Sequence, residues 1–170
     1  INGLMKYAEQ DEIPLYIRKF DTKKEVESLI KTIYSLELER NIEFEVGDLP
    51  VIMGDKLMLH QVLSNLISNA VKFTRLAPQA KIQIYAKLNE GFWEIYIKDN
   101  GIGIPDNASS KIFQLFKTAH DRSIFPGNGV GLSIVKQVIK RHQGKVWVDN
   151  NPDGGATFGF SIPEQNKKVG

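Results

Sequence analysis

The chain has 170 residues, 42% of them hydrophobic and 25% charged, enough for one domain with a buried core. A net charge of +2 gives no electrostatic case for nucleic acid, and no apolar run is long enough to span a bilayer. The absence of cysteine excludes disulfides, thiolate metal sites and cysteine nucleophiles, in agreement with a reducing, cytoplasmic setting.

Residues Ile1 to Gln10 suit the tail of a helix already under way, and Ile13-Pro14 breaks it before an extended run, Leu15 to Phe20. The expected boundaries are therefore a helical tail over 1–12, a domain over 13–163 and a polar tail over 164–170. Asp21 or Thr22 can cap the next helix, whose Val26, Leu29, Ile30, Ile33 and Leu36 follow the three-four spacing of a one-sided apolar stripe. Ile42 to Val46 alternates as a half-buried strand, and Val51 to Met53 makes another before Gly54 and the cap Asp55.

The helix from Asp55 to about Thr74 carries two stripes. Leu59, Val62, Leu63, Leu66, Ala70 and Phe73 form the buried one; Asn65, Asn69 and Lys72 form a polar line beside it. Polar flanks are common on amphipathic helices, but asparagine is a poor interior helix former, so two of them one turn apart invite a reason. An amide oxygen can ligate Mg²⁺, and a nearby lysine can neutralise phosphate.

Two strands follow, Lys81 to Leu88 and Phe92 to Lys98, joined by the turn Asn89-Glu90-Gly91. Alternation puts Trp93, Ile95 and Ile97 on one face, and parity assigns Asp99 to that apolar face. A carboxylate aimed inward needs a hydrogen-bonding partner, and Gly101 and Gly103 just behind it permit close approach. Alone, Asp99-Asn100-Gly101 reads as a hairpin turn. From Asp106 to Asn128 the composition turns polar around one apolar cluster, Ile112 to Phe116, which predicts a long loop with a short helix, in the manner of a lid. Lys111, Lys117 and Arg122 add cationic groups that suit phosphate or solvent. Gly127-Asn128-Gly129-Val130-Gly131-Leu132 then opens a helix that runs to Gln143-Gly144, and glycines at a helix start offer free N–H groups to an anion. Strands Lys145 to Asp149 and Thr157 to Ile162 close the domain.

In this order, four stretches resemble the motifs of one family, the ATP-binding catalytic domain of sensor histidine kinases within the gyrase and mismatch-repair ATPase superfamily. Leu63-Ser64-Asn65-Leu66-Ile67-Ser68-Asn69-Ala70-Val71-Lys72-Phe73-Thr74 resembles the N box, Asp99 to Pro105 the first glycine box, Lys111 to Phe116 the F box and Gly127 to Leu132 the second glycine box. Gly154 to Phe158 also fits, and the stretch from His120 to Gly127 is similar to the phytochrome-like branch. The resemblance implies an α/β sandwich of the Bergerat type, a mixed, mainly antiparallel sheet packed on one face by three main helices, with an ATP lid. It implies that Asp99 accepts a hydrogen bond from the adenine amino group with Thr157 nearby through water, that Asn69 binds Mg²⁺ with Asn65 close by, and that Lys72 touches phosphate. Phe73 stands where the family places an aromatic against the base. Gly101, Gly103, Gly127, Gly129, Gly131 and Leu132 complete the expected ATP site.

Two departures bear on mechanism. Hydrolysing members of the superfamily carry a glutamate four residues before the metal asparagine; Asn65 stands there, so transfer is favoured over hydrolysis. Thr118 replaces a common arginine, leaving Lys117 or Arg122 for the terminal phosphate. The family's acceptor histidine lies on a dimerisation domain that this chain lacks, and neither His60, His142 nor His120-Asp121 has its context. The implied partners are that domain and a response-regulator receiver, with no nucleic acid; the chain alone is expected to be a monomer, and its parent, a candidate for membrane anchoring, a homodimer. Two other readings remain: a degenerate nucleotide-binding or docking module without kinase activity, and a dinucleotide oxidoreductase. The latter needs a strand before Gly127 and GxGxxG spacing, and has neither.

Overall fold

The structure, a computed structural model, describes residues 13–114, 117, 120–121, 123–125 and 127–164. The expected helical tail over 1–12, the tail after Glu164, and Leu115, Phe116, Thr118, Ala119, Arg122 and Pro126 lie outside the described residues. The elements are β1 (Ile17–Asp21), α1 (Thr22–Leu36), β2 (Ile42–Val46), β3 (Val51–Asp55), α2 (Lys56–Phe73), β4 (Ala80–Asn89), β5 (Phe92–Asp99), α3 (Gly131–Arg141), β6 (Val146–Asn150) and β7 (Ala156–Pro163).

Five strands form one sheet in the order β2-β4-β5-β7-β6, in which only the β2–β4 pair is parallel; β1 and β3 form a separate antiparallel ribbon. The parallel pair is a consequence of α2: a helix must cross between β2 and β4, whereas the two-residue turn at Glu90 and Gly91, both with positive φ, returns the chain antiparallel. Alternation sends Ile82, Ile84, Ile95, Ile97, Phe158 and Phe160 to one face, where all are buried with Leu59, Leu63 and Leu66 of α2 and Val135, Val138 and Ile139 of α3 in one core. The opposite face carries Tyr85 stacked on Tyr96, with Trp147 edge-on to Tyr96 across Gly159, where a Cβ would meet the indole at 2.3 Å. This is the expected sandwich of a mainly antiparallel sheet under three helices.

Both long helices start at predicted caps. Asp21 accepts from the Lys24 N–H, and Asp55 accepts from the N–H groups of Leu57 and Met58. The stripe on α1 is narrower than its spacing suggests: Val26 and Ile30 are buried, but Leu36 is exposed because the chain leaves the core there. On α2 it is wider, adding Met58, Ile67 and Val71, since this helix lies between α1, α3 and the sheet. The C-terminus of α3 differs in detail from the usual glycine cap: Gln143 takes the positive φ (62°), while Gly144 is required because a Cβ would lie 1.8 Å from the Ser161 carbonyl. Between Asp106 and Gln114 the chain is a series of turns; the short helix expected around Ile112 to Phe116 lies partly outside the described residues.

Candidate functional site

The flank of α2 that the core leaves uncovered carries Asn65, Asn69, Lys72 and Phe73, and together with the segment that enters α3 it bounds a cleft that is partly open to solvent. Gly127, Asn128, Gly129, Gly131 and Leu132 form the facing wall; Ile104, Ile112, Phe125 and Phe158 make the apolar end, and Lys117 and His120 also line it. The α2 and α3 walls touch: Asn65 Nδ2 donates to the Gly131 carbonyl at 3.4 Å, and a Cβ on Gly131 would stand 3.2 Å from Asn65 Oδ1. A Cβ on Gly127 would stand 3.1 Å from Lys72 Nζ. Glycine at these positions lets backbone amides come within reach of whatever the amides and the ammonium bind.

α3 begins without a side-chain cap, its Val130 N–H instead closing an Asx turn on Asn128 Oδ1, and Gly129 adopts a positive φ of 71°. The first-turn N–H groups and the positive end of the helix dipole therefore open toward the cleft, an arrangement suited to phosphate. Half-burial and the nearby Arg75 hold the Lys72 ammonium below its ordinary pKa, a strain that an anion beside it would relieve. A divalent ion fits here only as part of a larger set. Among the described residues no three acidic, histidine or cysteine side chains gather to hold a metal, so the Asn69 and Asn65 amide oxygens would share the ion with phosphate oxygens and water.

Asp99 ends β5 on the inward face as parity requires, with 3% of its surface exposed. Its Oδ1 accepts from the Gly101 N–H at 2.8 Å and the Ala156 N–H at 3.4 Å, and neither bond engages Oδ2. Burial pushes its pKa up, against the pull of those two donors. The loop behind it is held from several sides. Asn151 Nδ2 donates to the Asp99 carbonyl at 2.9 Å, and the Asn150 amide both accepts from the Ile104 N–H at 2.8 Å and donates to the Ile104 carbonyl at 2.6 Å.

The structure thus gathers Asn65, Asn69, Lys72, Phe73, Lys117, Gly127, Gly129, Gly131 and Leu132 around one cleft. Asp99, Gly101, Gly103 and Thr157 are not in its lining. Asp99 lies just behind the Phe73 end: the Cβ position of Gly101 is 2.9 Å from Asp99 Oδ1 and 2.4 Å from the Phe73 carbonyl. Gly103, at a φ of 72°, turns the loop beneath it. Thr157 is separated from Asp99 by strand parity. It pairs with Lys98 and Asp149 on the outer face, and its hydroxyl donates to Asn151 Oδ1 at 2.5 Å. Ile104, Ile112, Asn128, Phe158, His120 and Phe125 complete the lining without having been singled out as site residues; the alternation of β7 points to Phe158, but the two ring residues become visible only through the turn that carries them.

Comparison with known proteins agrees with this geometry. Residues 54–166 match the family model described as histidine kinase-, DNA gyrase B-, and HSP90-like ATPase. The phytochrome-like protein Cph1 of Synechocystis sp. is 36% identical over 166 residues, covering 98% of this chain and 22% of that protein. The adaptive-response sensory kinase SasA of Prochlorococcus marinus (strain MIT 9303) is 37% identical over 142 residues, covering 79% of this chain and 37% of that protein. Among solved structures, the mycobacterial sensor histidine kinase MprB superposes with a TM-score of 0.73 at 28% identity over 86% of this chain and 96% of that one. Full-length ShkA in complex with AMPPNP gives 0.80 at 27% identity, over 95% of this chain and 34% of that one. The chain spans about a fifth of the length of its phytochrome relatives. An amide-and-lysine helix flank facing a glycine-rich helix start, on a sheet of this order and with these likenesses, makes the chain a member of the histidine kinase-, gyrase B- and HSP90-like ATPase family.

Proposed function

We propose that the chain binds Mg-ATP in the cleft and presents the γ-phosphate to a histidine on a dimerisation domain outside this chain, as the catalytic domain of a sensor histidine kinase in two-component signalling. The carrying observation is the convergence of Asn65, Asn69 and Lys72 with the uncapped, glycine-lined start of α3. In this reading Asn69 would hold a Mg²⁺ that neutralises phosphate charge, Lys72 and the α3 amides would hold the phosphate chain, and Lys117 would meet its outer end. Asp99 Oδ2 accepts from the adenine amino group once the base enters past Phe73. Transfer forms a bond from the acceptor imidazole nitrogen to the γ-phosphorus and breaks its bond to the bridging oxygen, so ADP leaves with the electron pair.

No aspartate or glutamate side chain lines the cleft among the described residues, which supports transfer over attack by water. The histidines of this chain have other employment. His142 is buried between the Asp55 N–H and the Val138 carbonyl, and His60 pairs with Glu25 at 2.5 Å. In this reading the acceptor histidine lies on the dimerisation domain, and a receiver domain takes the phosphate onward. Residues 13–163 act as the catalytic domain.

Titration calorimetry with Mg-ATP, ADP and NADH, followed by incubation with labelled ATP and a separate acceptor-histidine domain, tests the reading. Binding of ATP and ADP but not NADH, with acid-labile label on the added domain and none on this chain, is the expected result. No nucleotide binding would return the chain to a docking module, and stoichiometric label on the isolated chain would refute the assignment of the acceptor.

A further inference from the structure

Asp121 organises a tight turn: its carboxylate accepts from both the N–H and the hydroxyl of Ser123 at 2.8 Å, and its carbonyl accepts from the Ile124 N–H at 3.2 Å and the Phe125 N–H at 2.9 Å. The two Ser123 donors hold the Asp121 carboxyl below its usual pKa. Such a turn brings residues at its two ends to one side. His120 and Phe125 accordingly have ring centroids 5.6 Å apart, and each meets Phe73, at 5.1 Å and 5.4 Å. The rings are tilted, not stacked flat, and all three line the apolar end of the cleft. The three rings pack against one another as one wall of the cleft.

One bond ties that wall to the rest of the site. His120 Nε2 lies 2.8 Å from the Gly103 carbonyl, and because a carbonyl only accepts, Nε2 carries the proton. Gly103 belongs to the loop that follows Asp99, and the same loop is fixed from the other side by Asn150 on Ile104. Asn65 and Asn69 line the cleft from the α2 flank, and Lys72 Nζ lies over the Phe73 ring, 4.7 Å from its centroid.

We propose that His120 is a positioning residue for the base: by donating to the Gly103 carbonyl it clasps the Asp121–Phe125 turn onto the first glycine loop and completes, with Phe73 and Phe125, the ring wall that retains a purine. The assignment rests on the nucleotide reading above and goes beyond it, separating a clasp at the base end from the contacts that hold phosphate. Its occupant is the base of a purine nucleotide. A ring that merely filled space would affect every ligand of the cleft alike.

The test uses the 170-residue chain, Mg²⁺ and a fluorescent ribose-labelled ATP, with stopped-flow release and competition by tripolyphosphate as a ligand without a base. His120→Ala, which removes two ring contacts and one hydrogen bond, is expected to release the labelled nucleotide about tenfold faster while tripolyphosphate affinity stays within about twofold. His120→Gln, whose amide can donate to the same carbonyl, should recover most of the residence time, and His120→Phe, with a ring but no donor, should recover less. That pair decides the matter even if the alanine variant does not fold. Unchanged release in His120→Ala, equal loss of tripolyphosphate, or a Gln variant no slower than the Phe variant would each overturn the clasp. An unaltered chain that binds no labelled ATP removes the nucleotide reading itself, which distinguishes that failure from failure of the clasp alone.

Discussion

At the scale of single residues, Asp99 shows a binding group held at the expense of stability. Its carboxylate is buried with two backbone donors on one oxygen, and burial raises its pKa despite them, so ionising it costs more in the fold than in the unfolded chain. Asp99→Asn should leave the midpoint of thermal unfolding unchanged or higher while lowering ATP affinity at least about tenfold, the effect of a lost charge-assisted bond. Calorimetry of the variant checks both, and retained affinity would remove Asp99 from the site. His142 behaves in the opposite sense. Its Nε2 accepts from the Asp55 N–H at 3.0 Å and its Nδ1 donates to Val138, so the fold holds the neutral ring, and burial lowers its pKa against the opposing influence of Asp55. The unfolded chain then takes up this proton first as pH falls. The stability linked to His142 is complete above about pH 6.5, the unperturbed value, and is lost as pH drops from there toward the lowered folded value. Denaturant titrations across that window should show the loss, and His142→Gln should flatten the slope.

At the scale of elements, the site is a consequence of which faces the core leaves over. The three-four spacing of α2 and the two-residue period of β5 place Asn65, Asn69, Lys72 and Asp99 before any tertiary contact is considered, and the structure keeps those faces. The same rule places Thr157, paired with Lys98, on the outer face, since one residue along a strand is the other face of the sheet. What periodicity could not supply is the support of the first glycine loop, which depends on side chains from a strand fifty residues later. Asn150 makes a two-way amide bridge to Ile104 that substitutes for a ladder rung. Asn150→Ala should cost about 1–2 kcal/mol in denaturant unfolding and weaken ATP more than it weakens tripolyphosphate, because the loop it releases lies at the base end. Equal effects on both ligands would show that the loop does not act on the base.

At the scale of the whole molecule, the cleft lies between α2, the α3 entrance and the glycine loops, so a ligand in it bridges segments far apart in sequence. Mg-ATP at a hundredfold excess over its Kd should stabilise the chain by about 2.7 kcal/mol, a rise of roughly 5–10 °C in Tm for a chain of this size. Differential scanning fluorimetry with and without nucleotide measures it, and Asn69→Ala should abolish most of the shift. No helix among the described residues is long and apolar enough to cross a membrane. The sequence alone determined the helices, the strands, their buried faces and the ordered motifs, because hydrophobic period, caps and glycines are local properties of the chain. Only the tertiary structure decided that Asp99 stands behind the lining, that Thr157 looks outward, and that His120 and Phe125 join Phe73 at the apolar end. Those facts depend on which loops meet across the sheet, and contacts between residues far apart in sequence leave no periodic trace in either segment.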